Sequence, residues 1–253
     1  MERGNEITLL DGKTWDRGEL ILKMYDDPFY YGYLGRVALS SSSMKKLLTS
    51  IDDYKDSIKE KTKEEQEAES NKKPLLMGRL SHVSLLEPQK LNDLFDFADC
   101  GNRNAVIYKE LKKSSSKQVV LEKDRLWAKE MEKAVRGHSI ASKLFSEGNP
   151  EVPMIDYIGG IPVRGKADWL RDNSIVDYKT TSNIDDFEYN CTMFGYDIQA
   201  YLYTELFKRD KFIFVAVDKK TFKVRVVQAS AEMIAEGKKK VEQATETYVK
   251  EYF

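Results

Sequence analysis

Residues 161–181 read IPVRGKADWLRDNSIVDYKTT, and their pattern decides the fold. Two strand-like runs, 161–170 and 174–178, flank the polar turn Arg171-Asp172-Asn173, as expected of adjacent strands. Asp168 lies near the end of the first run, and Asp177 and Lys179 near the end of the second. A spacing of two puts Asp177 and Lys179 on one face of a strand. With the strands side by side, two carboxylates and an ammonium converge at one edge of a sheet. Close carboxylates repel unless a cation lies between them. Magnesium fits, being oxygen-seeking and content with one or two protein carboxylates. The Tyr178 carbonyl is a further oxygen donor, and Lys179 is placed to favour water deprotonation or to stabilise charge on an attacked phosphate. An isolated Asp-x-Lys is most often a surface ion pair. The apolar lead-in Ile175-Val176 and the preceding Asp168 argue for a site here.

Working outward, a third strand-like run at 151–157 is joined to 161–170 through Gly159-Gly160. A helix is expected over 186–208, then strands at 211–217 and 222–228 about Asp218-Lys219-Lys220. The chain ends in a helix over 231–250, with Ile234, Val241, Ala244 and Tyr248 on one stripe. Toward the N-terminus, Ser40 to Ser43 precede MKKLL, an N-cap signal. A helix over 77–87 stops at Pro88, and residues 91–117 give mixed signals with a loop at Ser114 to Ser116. Leu126, Trp127, Met131, Ala134 and Val135 mark an amphipathic helix within 122–146, broken near His138. Residues 55–73 are nearly all polar or charged and read as a solvated helix, a linker or a mobile loop. Residues 1–39, aromatic-rich at Phe29 to Tyr33, read as an ordered extension packed on a domain spanning 40–253. There is no internal repeat. Helices before and after grouped strands imply an α/β (α+β) fold, a mixed sheet with helices against it.

At 253 residues, 41% hydrophobic and 33% charged, the chain can bury a full core. No stretch approaches the roughly 20 apolar residues of a membrane helix, and no secretory h-region opens the sequence, so a cytoplasmic location is expected. Cys100 and Cys191 lack CxxC spacing, which argues against a structural zinc or a disulfide framework. With 41 basic and 42 acidic residues the net charge is −1. Attraction to nucleic acid therefore needs a local basic channel rather than an overall basic surface.

Three motifs, in order, resemble those of the PD-(D/E)XK nucleases and among them the RecB-like and RecE-like (exodeoxyribonuclease VIII-type) exonucleases. The first is GxxxH, at Gly78-Arg-Leu-Ser-His82. The second is Asp168 followed by Asp177-Tyr178-Lys179, and the third QxxxY, at Gln199-Ala-Tyr-Leu-Tyr203. MGRLSHVSLLEP, VRGKADWL, IVDYKTT and GYDIQAYLYTEL resemble RecE-type segments, and the similarity covers about residues 40–250. Asp177 stands where many relatives have glutamate, and either ligates magnesium.

The resemblance implies a restriction-endonuclease-like fold, with His82 as a metal ligand or near-ligand beside Asp168 and Asp177. Glu151, where RecE-like proteins also carry a glutamate, has two readings: a second-metal or water-positioning group, or a surface residue. Gln199 and Tyr203 share one helix face, and a buried glutamine needs polar partners, so both are expected to line the site. Arg79 and Arg164 flank it as candidates for DNA-backbone contacts. Ser41 and Ser43 either cap their helix or bind a terminal phosphate through backbone N–H groups. His138 matches no motif.

The activity so implied is a Mg2+-dependent exonuclease, with Mn2+ substituting. It would digest double-stranded DNA ends 5′ to 3′ and leave 3′ single strands for recombination, alongside a single-strand annealing protein. It also implies a homo-oligomeric ring, a trimer or tetramer, with Phe29 to Tyr33 serving subunit contacts or plain intrachain packing. A structure-specific or Cas4-like endonuclease is the alternative, although a Cas4-like cluster needs four cysteines. A catalytically inactive DNA-binding subunit would lack an Asp or Lys of the motif, and none is missing.

Overall fold

Among the residues described by the structure, a computed structural model covering 4–253 without the side chains of Lys63 and Gln66, nine strands form three sheets. Residues 1–3 of the N-terminal extension lie outside the described residues. Strands β1 (Glu6–Thr8) and β2 (Thr14–Asp16) pair antiparallel within that extension. Strands β3 (Phe95–Ala98) and β4 (Gln118–Leu121) pair parallel. The main sheet runs in chain order through β5 (Asn149–Ile158), β6 (Ile161–Leu170), β7 (Ser174–Thr181), β8 (Lys211–Asp218) and β9 (Val224–Gln228). Within this sheet only the β7–β8 pair is parallel. A parallel pair needs a crossover, and helices Phe187–Met193 and Tyr196–Phe207 supply it. The mixed sheet with flanking helices expected from the sequence is present.

Each face of the sheet is covered because its strands alternate apolar side chains to both sides. On one face, Ile175, Phe212, Phe214 and Ala216 pack against helices Ser41–Thr49, Tyr196–Phe207 and Ala231–Tyr252 through Leu47, Leu202, Leu206 and Val241. On the other, Val176, Tyr178, Val215 and Val217 meet helices Lys73–Leu86 and Glu122–Gly137 through Leu85, Met131 and Val135. The N-terminal extension has its own cluster, with Ile7, Leu20, Met24 and Leu34 gathered on Ile155 of β5.

Several elements depart from the sequence reading. The helix expected over 186–208 is two helices, because Gly195 takes φ +63 between them, a conformation open to glycine and costly for most other residues. The charged 55–73 segment holds the end of helix Ile51–Ile58 and all of helix Lys63–Ser70, so of the three readings the solvated helix holds. Helix Lys73–Leu86 starts before residue 77 because Pro74 sits in its first turn, where a missing N–H costs nothing. Leu126 is 55% exposed and lies off the buried stripe of its helix. Strands β1 to β4 were not expected, being three or four residues long, too short for a period to show.

Candidate active site

Strands β6 and β7 pair only at Trp169↔Val176 and Leu170↔Ile175, and then diverge. On its other edge β7 is held by β8 throughout, from Ser174↔Lys211 to Thr181↔Asp218. The divergence leaves the Tyr178 N–H without a β6 partner. Asp168 supplies one, its Oδ2 accepting from Tyr178 N at 2.8 Å. Across β6, the β5 register Pro150↔Trp169 and Val152↔Ala167 places Glu151 opposite Asp168, at a point where the ladder is interrupted. Glu151 has φ +51, a strained region for a non-glycine residue that persists where the surroundings enforce it.

Helix Lys73–Leu86 brings His82 to this fork, with Nδ1 3.6 Å from Asp168 Oδ2. Ser81 and the Tyr178 hydroxyl hydrogen-bond at 2.7 Å, tying the helix to β7. Ligating atoms of His82, Glu151 and Asp168 all lie within 4.8 Å of one another. Burial, aided by the Lys179 charge, pushes the His82 imidazole down to about 4, so the ring is neutral at pH 7 with a free lone pair. Burial and the neighbouring Asp168 push Glu151 up to about 8. Asp168 is raised by burial as well, against the opposing pull of Lys179 and the Tyr178 N–H.

Asp177 occupies the other half of the fork and is 1% exposed. Gln199 Nε2 donates to its Oδ1 at 2.7 Å, and Lys179 Nζ lies 2.6 Å from its Oδ2. The Lys179 contact is an ion pair without hydrogen-bond geometry, so this buried Oδ2 has no hydrogen-bond partner among the described residues. Burial pushes the Asp177 carboxyl up to about 6, Lys179 pulling against it. Burial alone would lower Lys179, but Asp177 and Asp168 outweigh it and hold the ammonium charged. The Lys179 ammonium also sits over the Tyr196 ring at 5.1 Å.

The motif residues therefore converge on one fork, but as two groups. His82, Glu151 and Asp168 face a cavity of about 1350 Å³, whereas Asp177, Lys179 and Gln199 are not among its lining residues. Tyr203 lines the cavity, and its hydroxyl accepts from Lys166 N at 3.3 Å. Gly165 permits this approach: a Cβ there would sit 2.9 Å from the Tyr203 ring. Of the proposed DNA-contact residues, Arg79, Arg164 and Ser41 line the cavity. The Arg164 guanidinium is 4.2 Å from the Tyr30 ring centroid, and its Nε donates to Leu34 O. Ser43 is not a lining residue and is spent on capping, its Oγ accepting from Ser40 N at 2.6 Å and donating to Ser40 O.

Two lysines and one segment were missed from sequence. Lys166 lines the cavity and is paired with Asp27 at 2.7 Å. Lys45 is pushed down to about 8 by burial and the Lys179 charge. Lys166 stands two residues before Asp168 on β6, so period-two spacing was the signal that could have found it, whereas MKKLL offered no sign of which lysine turns inward. Residues 25–36 of the extension wall one side of the cavity, a placement no local pattern reveals.

A divalent cation fits these residues. Ligand atoms of His82, Glu151 and Asp168 already lie within 4.8 Å of one another, and burial raises the carboxyls of Glu151, Asp168 and Asp177. Asp177 Oδ2 meets the Lys179 ammonium without a hydrogen bond among the described residues. Oxygen donors with one neutral imidazole suit a divalent cation. Among the described residues no helix is long and apolar enough to cross a membrane.

A family model described as a PDDEXK-like domain of unknown function (DUF3799) matches residues 40–251. No curated protein is matched by this chain. Among solved structures, a candidate exonuclease from Eubacterium rectale superposes with a TM-score of 0.62 at 17% identity, over 86% of this chain and 82% of that one. The SSO0001 protein follows at TM-score 0.41 and 13% identity, over 84% of this chain and 75% of that one. A phage-related exonuclease from Haemophilus somnus 129PT reaches 0.36 at 16% identity, over 86% of this chain and 96% of that one. The last two are too distant for comparison of fold or site. The first shares the fold, which is restriction-endonuclease-like, a mixed five-stranded sheet between helices.

Proposed function

Since the chain belongs to the PDDEXK-like domain family whose model spans residues 40–251, we propose that it is a metal-dependent exodeoxyribonuclease acting at duplex ends. The observation that carries this reading is the fork: Asp168 bonded to the Tyr178 N–H at 2.8 Å, with Asp177 and Lys179 2.6 Å apart beside it. His82, Glu151, Asp168 and Asp177, with the Tyr178 carbonyl, are the groups that would hold Mg2+, or Mn2+ in its place. Bound there, such a cation supplies Lewis acidity toward a phosphate oxygen and neutralises developing charge. Lys179, kept charged by its two aspartates, stabilises negative charge on the attacked phosphate. Gln199 fixes the Asp177 carboxylate, and Tyr203 backs β6 at the Lys166 N–H. Arg79, Arg164 and Ser41 contact the DNA backbone along the cavity wall. Water adds to phosphorus as the P–O bond to the leaving nucleotide breaks, giving a phosphomonoester and an alcohol.

The motif resemblance supports the finer reading: digestion 5′ to 3′, 3′ single strands for recombination, and an annealing protein as partner. A ring of three or four subunits would concentrate basic side chains around the duplex, which a net charge of −1 otherwise cannot do. Light scattering with and without DNA tests the ring, and a processive monomer rules it out. The nuclease itself is tested with linear duplex labelled at the 5′ or the 3′ end, compared with closed circles, in Mg2+. Early release of the 5′ label as mononucleotide, with circles spared, is expected; rapid nicking of circles favours an endonuclease.

A further inference from the structure

The N-terminal extension precedes the residues matched by the family model, which begin at 40, yet it reaches the candidate active site. It contributes Tyr30 and Tyr31 to the cavity that also holds His82, Glu151 and Asp168. These two neighbouring tyrosines are treated very differently. Tyr30 is 4% exposed and Tyr31 is 63% exposed. Tyr30 is fixed by cations, with the Arg164 guanidinium 4.2 Å and the Lys166 ammonium 4.5 Å from its ring centroid. Tyr31 stands edge-on against Tyr30, ring centroids 4.9 Å apart. Its ring is thus braced from behind, while most of its surface is left open in a cavity.

A purely structural tyrosine would bury that ring, as Tyr30 does. The charge around it points away from phosphate as its ligand. Lys166 lies 5.4 Å from the Tyr31 ring centroid, but its ammonium is paired with Asp27 at 2.7 Å. What remains is a flat aromatic surface beside a phosphodiester site, and every nucleobase has a π-face to match it. We propose that residues 25–36 form a nucleobase-binding wall, in which the Tyr31 ring stacks on the base of the terminal nucleotide being removed. This rests on the nuclease reading above and adds to it the part of the substrate that the extension recognises. Stacking is tolerant of sequence, so the wall recognises that a base is present rather than which base it is.

The test uses the full chain, with Tyr31→Ala and Tyr31→Trp variants, on linear duplexes whose terminal nucleotide either carries its base or is abasic. Single-turnover cleavage is measured in Mg2+, and melting temperatures confirm that each variant is folded, as expected for an exposed side chain. Wild-type protein should cleave the base-bearing end roughly tenfold faster than the abasic one. Tyr31→Ala should bring the two rates within about twofold, and Tyr31→Trp should keep the preference. An equal preference in wild type and Tyr31→Ala, or none in wild type, overturns the stacking role while leaving the nuclease in place. If wild-type protein cleaves neither end, the nuclease reading fails and the stacking role falls with it.

Discussion

Gln199 donates through Nε2 to Asp177 Oδ1 at 2.7 Å, joining helix Tyr196–Phe207 to β7 across the fork of the sheet. Asp177 is 1% exposed, so its orientation depends on the few polar groups that reach it. Lys179 takes the second oxygen at 2.6 Å.

Removing the amide should therefore affect chemistry more than folding. Gln199→Ala is expected to slow cleavage at least about tenfold, equivalent to about 1.4 kcal/mol of transition-state stabilisation. Cleavage rate and melting temperature are measured together. An unchanged rate with a lowered melting temperature would assign Gln199 to the core instead.

The fork residues should be individually indispensable. Asp168→Ala, Asp177→Ala and Lys179→Ala should each abolish turnover in a protein that still folds. His82→Ala should cost at least about tenfold. Chelation of divalent cations should silence the wild-type protein. Near-normal turnover from Asp177→Ala would sink the assignment.

Stability should fall as pH rises in metal-free protein. Glu151 is pushed up from 4.5 to about 8 and Asp177 from 3.8 to about 6. A raised carboxyl binds its proton more tightly in the folded chain. Its contribution is then complete below the unfolded value and is lost as pH climbs through the folded one. Melting temperature in a chelator should thus decline between about pH 6.5 and 8, mainly through Glu151. His82, pushed down to about 4, acts below this window, and Lys45, at about 8, acts in the opposite sense near and above its top. Glu151→Gln should flatten the decline, and added Mg2+ should reduce it. A flat profile in wild-type protein would contradict the burial of these carboxyls.

On the helix that carries Gln199, the fully buried Asp197 pairs with Lys240 at 2.6 Å. Removing the cation strands a carboxylate in the core. Lys240→Ala should cost about 3 kcal/mol of stability by denaturant titration. The double variant Lys240→Ala/Asp197→Asn should recover part of it. A neutral single variant would mean that Asp197 is satisfied without Lys240.

How much was legible follows from the range over which each signal acts. The strand pair around Asp168 and Asp177, and the long helices, show their period within a few residues, so 161–181 and 231–250 could be read directly. Gly195 broke a helix that read as continuous, because nothing in the local pattern required its φ of +63. The Ser41-Ser42-Ser43 run carried both a capping and a phosphate-binding reading. The bonds of Ser43 Oγ with Ser40 N and Ser40 O show where its hydroxyl is used.

The sequence by itself determined the identities and strand positions of Asp168, Asp177 and Lys179, because period-two spacing is local geometry. Tertiary structure alone decided how those residues divide. Asp168 joins His82 and Glu151 within 4.8 Å, while Asp177 turns to Lys179 and Gln199. The reason is that β7 leaves β6 after two register pairs while staying paired with β8 along its whole length. That choice depends on the crossover helices and on apolar packing over both faces of the sheet. It also depends on contacts between residues more than a hundred positions apart, such as Asp27 with Lys166, which no window of the sequence contains.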